Sequence, residues 1–287
     1  MSSSKKRKIR RELVDFLFVL PAIIVFILVI ILPLVNGVRY SFTDWNGMSR
    51  QINLVGLKNY ITILHDKDLI KPICNTALYT VVTTLVINVL GLAFAMMVVN
   101  EFKGVNVIKS IIFVPLVVSL VLVSYMWMYV YSDFLGLFGV DSPLIHEKTV
   151  MLGLCAMAIW KETGLAMMIY LAALKNVPSD YYEAATIDGA GFWQKFRNIT
   201  VPMIAPAFTY CIPYWIAGGL RMYDYSYVAT GGGPNHASES MAYYIYEYLF
   251  PYNKVGYGQA VAVIYLIFSL VLSQIVTRSL RKREIEF

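Results

Sequence analysis

Apolar residues in this chain run together over long stretches, whereas an amphipathic helix would repeat them every three or four positions and a half-buried strand every second one. Six such stretches can be marked, at 13–35, 73–99, 107–131, 150–174, 203–224 and 259–280. With a rise of about 1.5 Å per residue, each is long enough to cross a hydrocarbon core of about 30 Å as a tilted helix. The pattern therefore predicts an all-α, polytopic membrane protein with six transmembrane helices. The first stretch is too long for the apolar region of a signal peptide and lacks an A-x-A cleavage site, so it is expected to remain as a span.

Six crossings put both termini on one side, and the basic residues choose the side. The segment 1–12, the turns at 101–109 and 175–197, and the segment from Arg278 onward hold fifteen Lys and Arg. The much longer opposite loops hold seven: Arg39, Arg50, Lys58, Lys67, Lys71, Lys148 and Lys254. The positive-inside rule then places both termini of this multi-pass membrane protein in the cytoplasm. The expected organisation is a basic tail at 1–12, a six-helix transmembrane domain at 13–280 and a short tail at 281–287. Loops at 36–72, 132–149 and 225–258 lie outside, and a cytoplasmic loop lies at 178–202.

Composition agrees with the pattern. Of 287 residues, 58% are apolar and 15% charged, with a mean hydropathy of +0.62, against about 45–50% and 25% in soluble domains. The net charge of +6 follows from the cytoplasmic bias and suits anionic lipid, not nucleic acid. Cys74, Cys155 and Cys211 sit in or beside apolar segments without paired spacing and read as small core residues.

The cytoplasmic loop carries the most chemistry. It reads as two short helices around a bend: Ser179 or Asp180 is expected to cap the first, with Glu183 at N3 of a capping box. Gly189 and Gly191 are expected to stop and turn it. Phe192, Phe196 and Ile199 share one face of the second helix, and Pro202 is expected to open span five. Capping explains one carboxylate. It does not explain small alanines beside Glu183 followed by Phe192, Trp193 and Phe196 on a solvent-side loop, unless another protein covers them.

Glu183-Ala184-Ala185, Asp188-Gly189-Ala190, Phe196, Ile199 and Pro202 resemble the EAA loop of permease subunits in binding-protein-dependent ABC importers, with Val201 where leucine is usual. Ser41 to Trp45, Val55 to Tyr60, Asn75-Thr76 and Thr230 to Pro234 resemble segments of the carbohydrate branch, closest to the first permease of a maltose-type heterodimer. The resemblance implies the type I importer fold and a second, homologous permease. It also implies an extracellular solute-binding protein and two ATP-binding subunits that hold ATP and Mg. In that family the loop docks in a cleft of the ATPase, so Glu183, Ala184, Ala185, Asp188, Gly189, Ala190, Phe192, Phe196, Ile199 and Pro202 are the expected coupling residues.

The chain has no G-x-x-x-x-G-K-[ST] of its own, and Gly231-Gly232-Gly233 runs into Pro234, which lacks an N–H. His65, His146 and His236 are scattered over outside loops without ligand spacing. No catalytic residue, metal site or resident cofactor is therefore expected, and the protein reads as a non-catalytic subunit.

Charges inside spans are costly unless they face protein or a wet cavity. Lys161 and Glu162 lie midway along span four and diverge by about 100° around the helix, while Arg221 and Asp224 stand i, i+3 near the outer end of span five and could pair. Either these are structural ion pairs, or they line a sugar pathway to which the family likeness adds the region near Ser119, with Trp127 and Tyr223 as the deeper-lying rings on which a sugar could stack. The rivals are an ion-gradient-driven secondary transporter and a permease for another solute, such as a sugar phosphate.

Overall fold

The computed structural model describes residues 3–282, and of the side chains at 3–11 and 13 nothing is said; the 283–287 part of the expected C-terminal tail lies outside the described residues. Among the described residues the regular structure is helical, apart from one isolated antiparallel bridge, Thr43 to Leu54. The elements are α1 (Ser3–Phe26), α2 (Leu32–Tyr40), α3 (Lys58–His65), α4 (Ile70–Val98), α5 (Val105–Val117), α6 (Leu120–Tyr129), α7 (Val150–Lys175), α8 (Ser179–Ile187), α9 (Phe192–Lys195), α10 (Val201–Met203), α11 (Ala205–Leu220), α12 (Met241–Leu249) and α13 (Val255–Arg281). Four π-turns, at Ile27–Ile31, Val130–Phe134, Phe196–Thr200 and Ser226–Thr230, join neighbouring helices or extend their ends.

Five helical runs are long and apolar enough to span, and a bent pair, Phe192–Met203 with Ala205–Leu220, makes a sixth. Two expected segments are built differently from a single straight helix. The stretch at 107–131 is two helices, because Val118 and Ser119 are extended (ψ 135° and 146°) and Ser119 starts α6 afresh, its Oγ accepting from Leu122 N at 3.4 Å. Pro115 stands just before this break, where a pyrrolidine ring weakens the preceding turn. Span five begins at Ala205 and not at Pro202: Pro202 lies in α10, before a 71° bend, and Pro206 takes the first-turn position of α11.

The chain divides into two compact units. The first, Met1–His65 with Ile245–Ile264, holds α1 to α3 and the start of α13. Its loop is knitted by the polar residues singled out in the sequence: Asn59 Nδ2 donates to the carbonyls of Ser41 (2.8 Å) and Thr43 (2.9 Å), and Tyr60 pairs with the Ser41 hydroxyl at 2.6 Å. The Asn53 side-chain amide and backbone N–H both donate to Asp44, holding that carboxyl below the usual range.

The second unit, Asp66–Tyr244 with Tyr265–Phe287, is organised around α7, which packs against α4, α5 and α11, while α11 also packs against α4. Between membrane helices, small residues allow close approach. A Cβ on Gly164 would come within 2.5 Å of the Ile112 carbonyl oxygen, one on Gly91 within 2.5 Å of Ala166 Cβ, and one on Gly219 within 2.7 Å of Thr80 Oγ1. Around these contacts lie Ile87, Met167, Tyr170 and Trp215, with Tyr170 donating to Asn88 Oδ1 at 2.5 Å.

Replacing Gly164 by valine should lower stability by about 1–3 kcal/mol through overpacking against α5, read as a fall in the detergent-solubilised melting temperature. Alanine at Gly136, which faces open space, should leave the midpoint unchanged; equal behaviour of the two variants would contradict this packing.

Candidate functional site

Helix α8 starts one residue earlier than the sequence suggests. Pro178 is extended (ψ 137°) and occupies the N-cap without a side-chain bond, so Ser179 and Asp180 fall in the first turn and no capping box forms with Glu183. Asp180 still complements the positive end of the helix. Glu183 is exposed and has no hydrogen-bond or ion-pair partner among the described residues. Ala184 is exposed beside it, and Ala185 is half-buried.

The C-terminus of α8 is closed by a Schellman motif: Ala190 N donates to Ala185 O (2.8 Å) and Gly189 N to Thr186 O (3.1 Å). Gly189 adopts φ +76°, which a residue with a side chain rarely takes. Asp188 is the C-cap. Gly191 has ordinary backbone angles and N-caps α9, where Gln194 Oε1 accepts from its N–H at 2.7 Å. Two side-chain bonds tie the arms of the loop together: Lys195 Nζ donates to Thr186 Oγ1 at 2.7 Å, and the Tyr182 and Thr200 hydroxyls meet at 3.0 Å. Gln194, Lys195, Tyr182 and Thr200 were not among the residues expected to matter; the S/T-x-x-[EQ] template misses a glycine cap.

Phe192, Trp193 and Phe196 form a ring cluster with centroids 5.6 to 6.3 Å apart. Phe192 is 64% exposed and Trp193 74%, while Phe196 and Ile199 are half-buried. The helical path continues through the π-turn Phe196–Thr200 and α10, then bends at Ile204 into α11.

A cavity of about 190 Å³ lies between α4, α7, α11 and the turn after α11. It brings together Glu162, Arg221, Tyr223, Asp224 and Tyr225, and adds Tyr79, Thr83, Tyr214 and Trp215, which sequence reasoning missed. Lys161, Ser119 and Trp127 do not line it. Ser119 is the exposed cap of α6, and Trp127 packs on Tyr131 and Trp160, with centroids at 5.1 and 5.9 Å.

Lys161 has a structural occupation. Its ammonium donates to the Leu116 carbonyl at 2.8 Å and lies 3.7 Å from Glu162 Oε1. Leu116 lies in the last turn of α5, before the break, where carbonyls lose their helical donors and a cation is favoured. The neighbours Lys161 and Glu162 thus come within ion-pair distance despite diverging around the helix. Arg221 and Asp224, by contrast, form no ion pair, because α11 ends at Leu220; Arg221 Nε instead donates to Ala217 O at 3.2 Å. Two buried groups on the cavity wall, Trp215 Nε1 and the Tyr225 hydroxyl, have no hydrogen-bond partner among the described residues, and such groups call for a ligand or water.

Residues 87–284 match the model of the binding-protein-dependent transport system inner membrane component family. The chain belongs to that family. This inner membrane component is 32% identical over 281 residues to a probable starch degradation products transport permease of Thermoanaerobacterium thermosulfurigenes, covering 94% of this chain and 95% of that one. It is 32% identical over 286 residues to a trehalose/maltose transport permease of Thermococcus litoralis, covering 94% of each. An osmoprotective compounds uptake permease of Synechocystis is 34% identical over 266 residues, 88% of this chain and 93% of that one. In fold it is similar to a chain of a bacterial ABC transporter for the acidic polysaccharide alginate, with a TM-score of 0.84 at 21% identity over 98% of this chain and 99% of that one. The protein is accordingly a multi-pass membrane permease.

Lys161→Met should destabilise the permease by about 1–3 kcal/mol, since it leaves Leu116 O and Glu162 unpaired. Adding Glu162→Gln should cost less than the sum of the two single changes, by about 0.5 kcal/mol or more in a double-mutant cycle of thermal unfolding. Strict additivity would contradict the pairing.

Proposed function

We propose that the permease forms one half of the translocation path for a neutral oligosaccharide and takes its driving force from a separate ATPase through α8 and α9. Its partners would be a second, homologous permease in a heterodimer, two ATP-binding subunits that hold ATP and Mg, and an extracellular solute-binding protein. The chain would do no catalysis itself. One observation carries the reading: the loop that exposes Glu183, Phe192 and Trp193 runs through a single bend into α11, the helix that walls the polar cavity.

Two further observations support it. A soluble face with rings as exposed as Phe192 and Trp193 favours a covering partner, and a free carboxylate at Glu183 suits polar contact with that partner. The cavity also offers little net charge to an anion: Glu162 and Asp224 stand against Arg221, while the ammonium of Lys161 is held by Leu116 O. The unpartnered groups of Trp215 and Tyr225 can donate to the oxygens of sugar hydroxyls. The curated relatives named for starch degradation products and for trehalose and maltose point the same way.

In proteoliposomes holding the assembled complex and its binding protein, uptake of maltodextrins should require ATP and survive collapse of ion gradients. Uptake that persists without ATP and ends with the gradient would instead establish a secondary transporter. In the same system Glu183→Lys and Trp193→Ala should leave membrane insertion intact and lower binding-protein-stimulated ATPase activity about tenfold or more; normal stimulation in both would remove the loop from coupling.

A further inference from the structure

Helix α11 has two sharply different faces. Ala207, Cys211, Trp215 and Gly219 are buried, while Pro206, Tyr210, Tyr214, Gly218 and Arg221 are exposed. The exposed set recurs every three or four residues, so it forms one stripe along the helix. Other helices of the same unit show what exposed positions look like when they carry no polar function. On α4 they are Leu78, Val81, Leu85 and Val89; on the second half of α13 they include Ile267, Phe268, Val271 and Ile275. From Tyr210 to Arg221 the α11 stripe contains no aliphatic side chain. Among the described residues, neither the Tyr210 nor the Tyr214 hydroxyl has a hydrogen-bond partner, and a membrane interior without water leaves such groups costly.

The stripe is continuous with the cavity. Tyr214 and Arg221 line it, and Gly218 between them leaves open space over the helix. Tyr210 stacks on Tyr214 with centroids 5.9 Å apart and rings 17° from parallel. Past the other end of α11, Tyr223, which also lines the cavity, stacks on the half-exposed Tyr227 at 5.3 Å and 14°. The cavity is thus flanked along the chain by two pairs of near-parallel rings. From Tyr210 to Arg221 the helix rises about 16 Å, longer than one sugar ring. A tyrosine ring offers a flat apolar face to the C–H side of a pyranose and a hydroxyl at its edge, which suits a ligand that must bind and move on.

We propose that the stripe Tyr210, Tyr214, Gly218 and Arg221 is a water-exposed wall of the translocation path, and that Tyr210–Tyr214 and Tyr223–Tyr227 are stacking subsites for successive rings of an oligosaccharide on either side of the cavity. The sugar part rests on the carbohydrate reading given above; the wetness of the wall does not. It follows that this permease favours chains of several rings over a monosaccharide, because only a chain engages both pairs at once.

The test uses the assembled transporter, with Cys74, Cys155 and Cys211 replaced by serine or alanine. Single cysteines at Tyr210, Tyr214 and Gly218 should react with a charged, membrane-impermeant methanethiosulfonate at least about ten times faster than cysteines at Val81 and Leu85. Equal rates at all five positions would overturn the wall. With maltohexaose and maltose as transported probes, Tyr210→Ala with Tyr214→Ala should lower hexaose uptake about tenfold and maltose uptake less, and phenylalanine at both positions should restore hexaose uptake to within about threefold. Normal hexaose uptake by the alanine pair would overturn the stacking role alone. Absence of uptake of any sugar by the unaltered complex would overturn the carbohydrate reading and the stacking role with it.

Discussion

At Ile204 the chain turns through 71° with the backbone of that residue bonded on both sides, and the rest of the arrangement depends on that joint. Ile204 N still donates to Thr200 O at 3.1 Å, Ala207 N donates to Ile204 O at 2.9 Å, and the side chain is 1% exposed among Ala207, Cys211 and Tyr170. A bend held by backbone bonds and a filled core transmits displacement; a solvated hinge would absorb it. On one side of the joint stand Glu183 and the exposed aromatics. On the other stands the wall of the polar cavity. The tie between Tyr182 and Thr200 and that between Lys195 and Thr186 fasten α8 to the segment that leads into α10.

The second unit supplies the support that such a lever needs. Gly164, Gly91 and Gly219 let α5, α4 and α11 approach until backbone or β-carbon atoms touch, which fixes their positions more sharply than longer side chains would. Lys161 repairs the interruption between α5 and α6, donating to a carbonyl in the last turn of α5. A charge that reads as a pathway residue in isolation is therefore spent on architecture, and its neighbour Glu162 is the one that faces the cavity.

The spans and the loop were legible because they rest on local signals. Long apolar runs need no tertiary information, and Gly189 before Ala190 announces a left-handed turn that the structure places at φ +76°. The motif residues Ser41, Asn59 and Tyr60 also carried their own explanation, since they bond one another. What was not legible depended on distant partners or on small backbone choices. An extended Pro178 moved the start of α8 and dissolved the expected capping box. The extended pair Val118–Ser119 broke a segment that is uniformly apolar, and the early end of α11 separated Arg221 from Asp224. Tyr210 and Tyr214 were hidden among 21 tyrosines; an i, i+4 spacing continued by Gly218 was the available signal, and it acquires meaning only once the opposite face is known to be buried.

The rigidity of the joint is the central physical claim. Spin labels at Ile187, exposed at the foot of α8, and at Gly218, exposed on α11, bracket it within one chain. Double electron–electron resonance on the assembled transporter, nucleotide-free and ATP-bound, should give an intramolecular distance that agrees within about 2 Å between the two states, as rigid-body transmission requires. A change of more than about 5 Å would show that the chain flexes at Ile204 and would contradict the account.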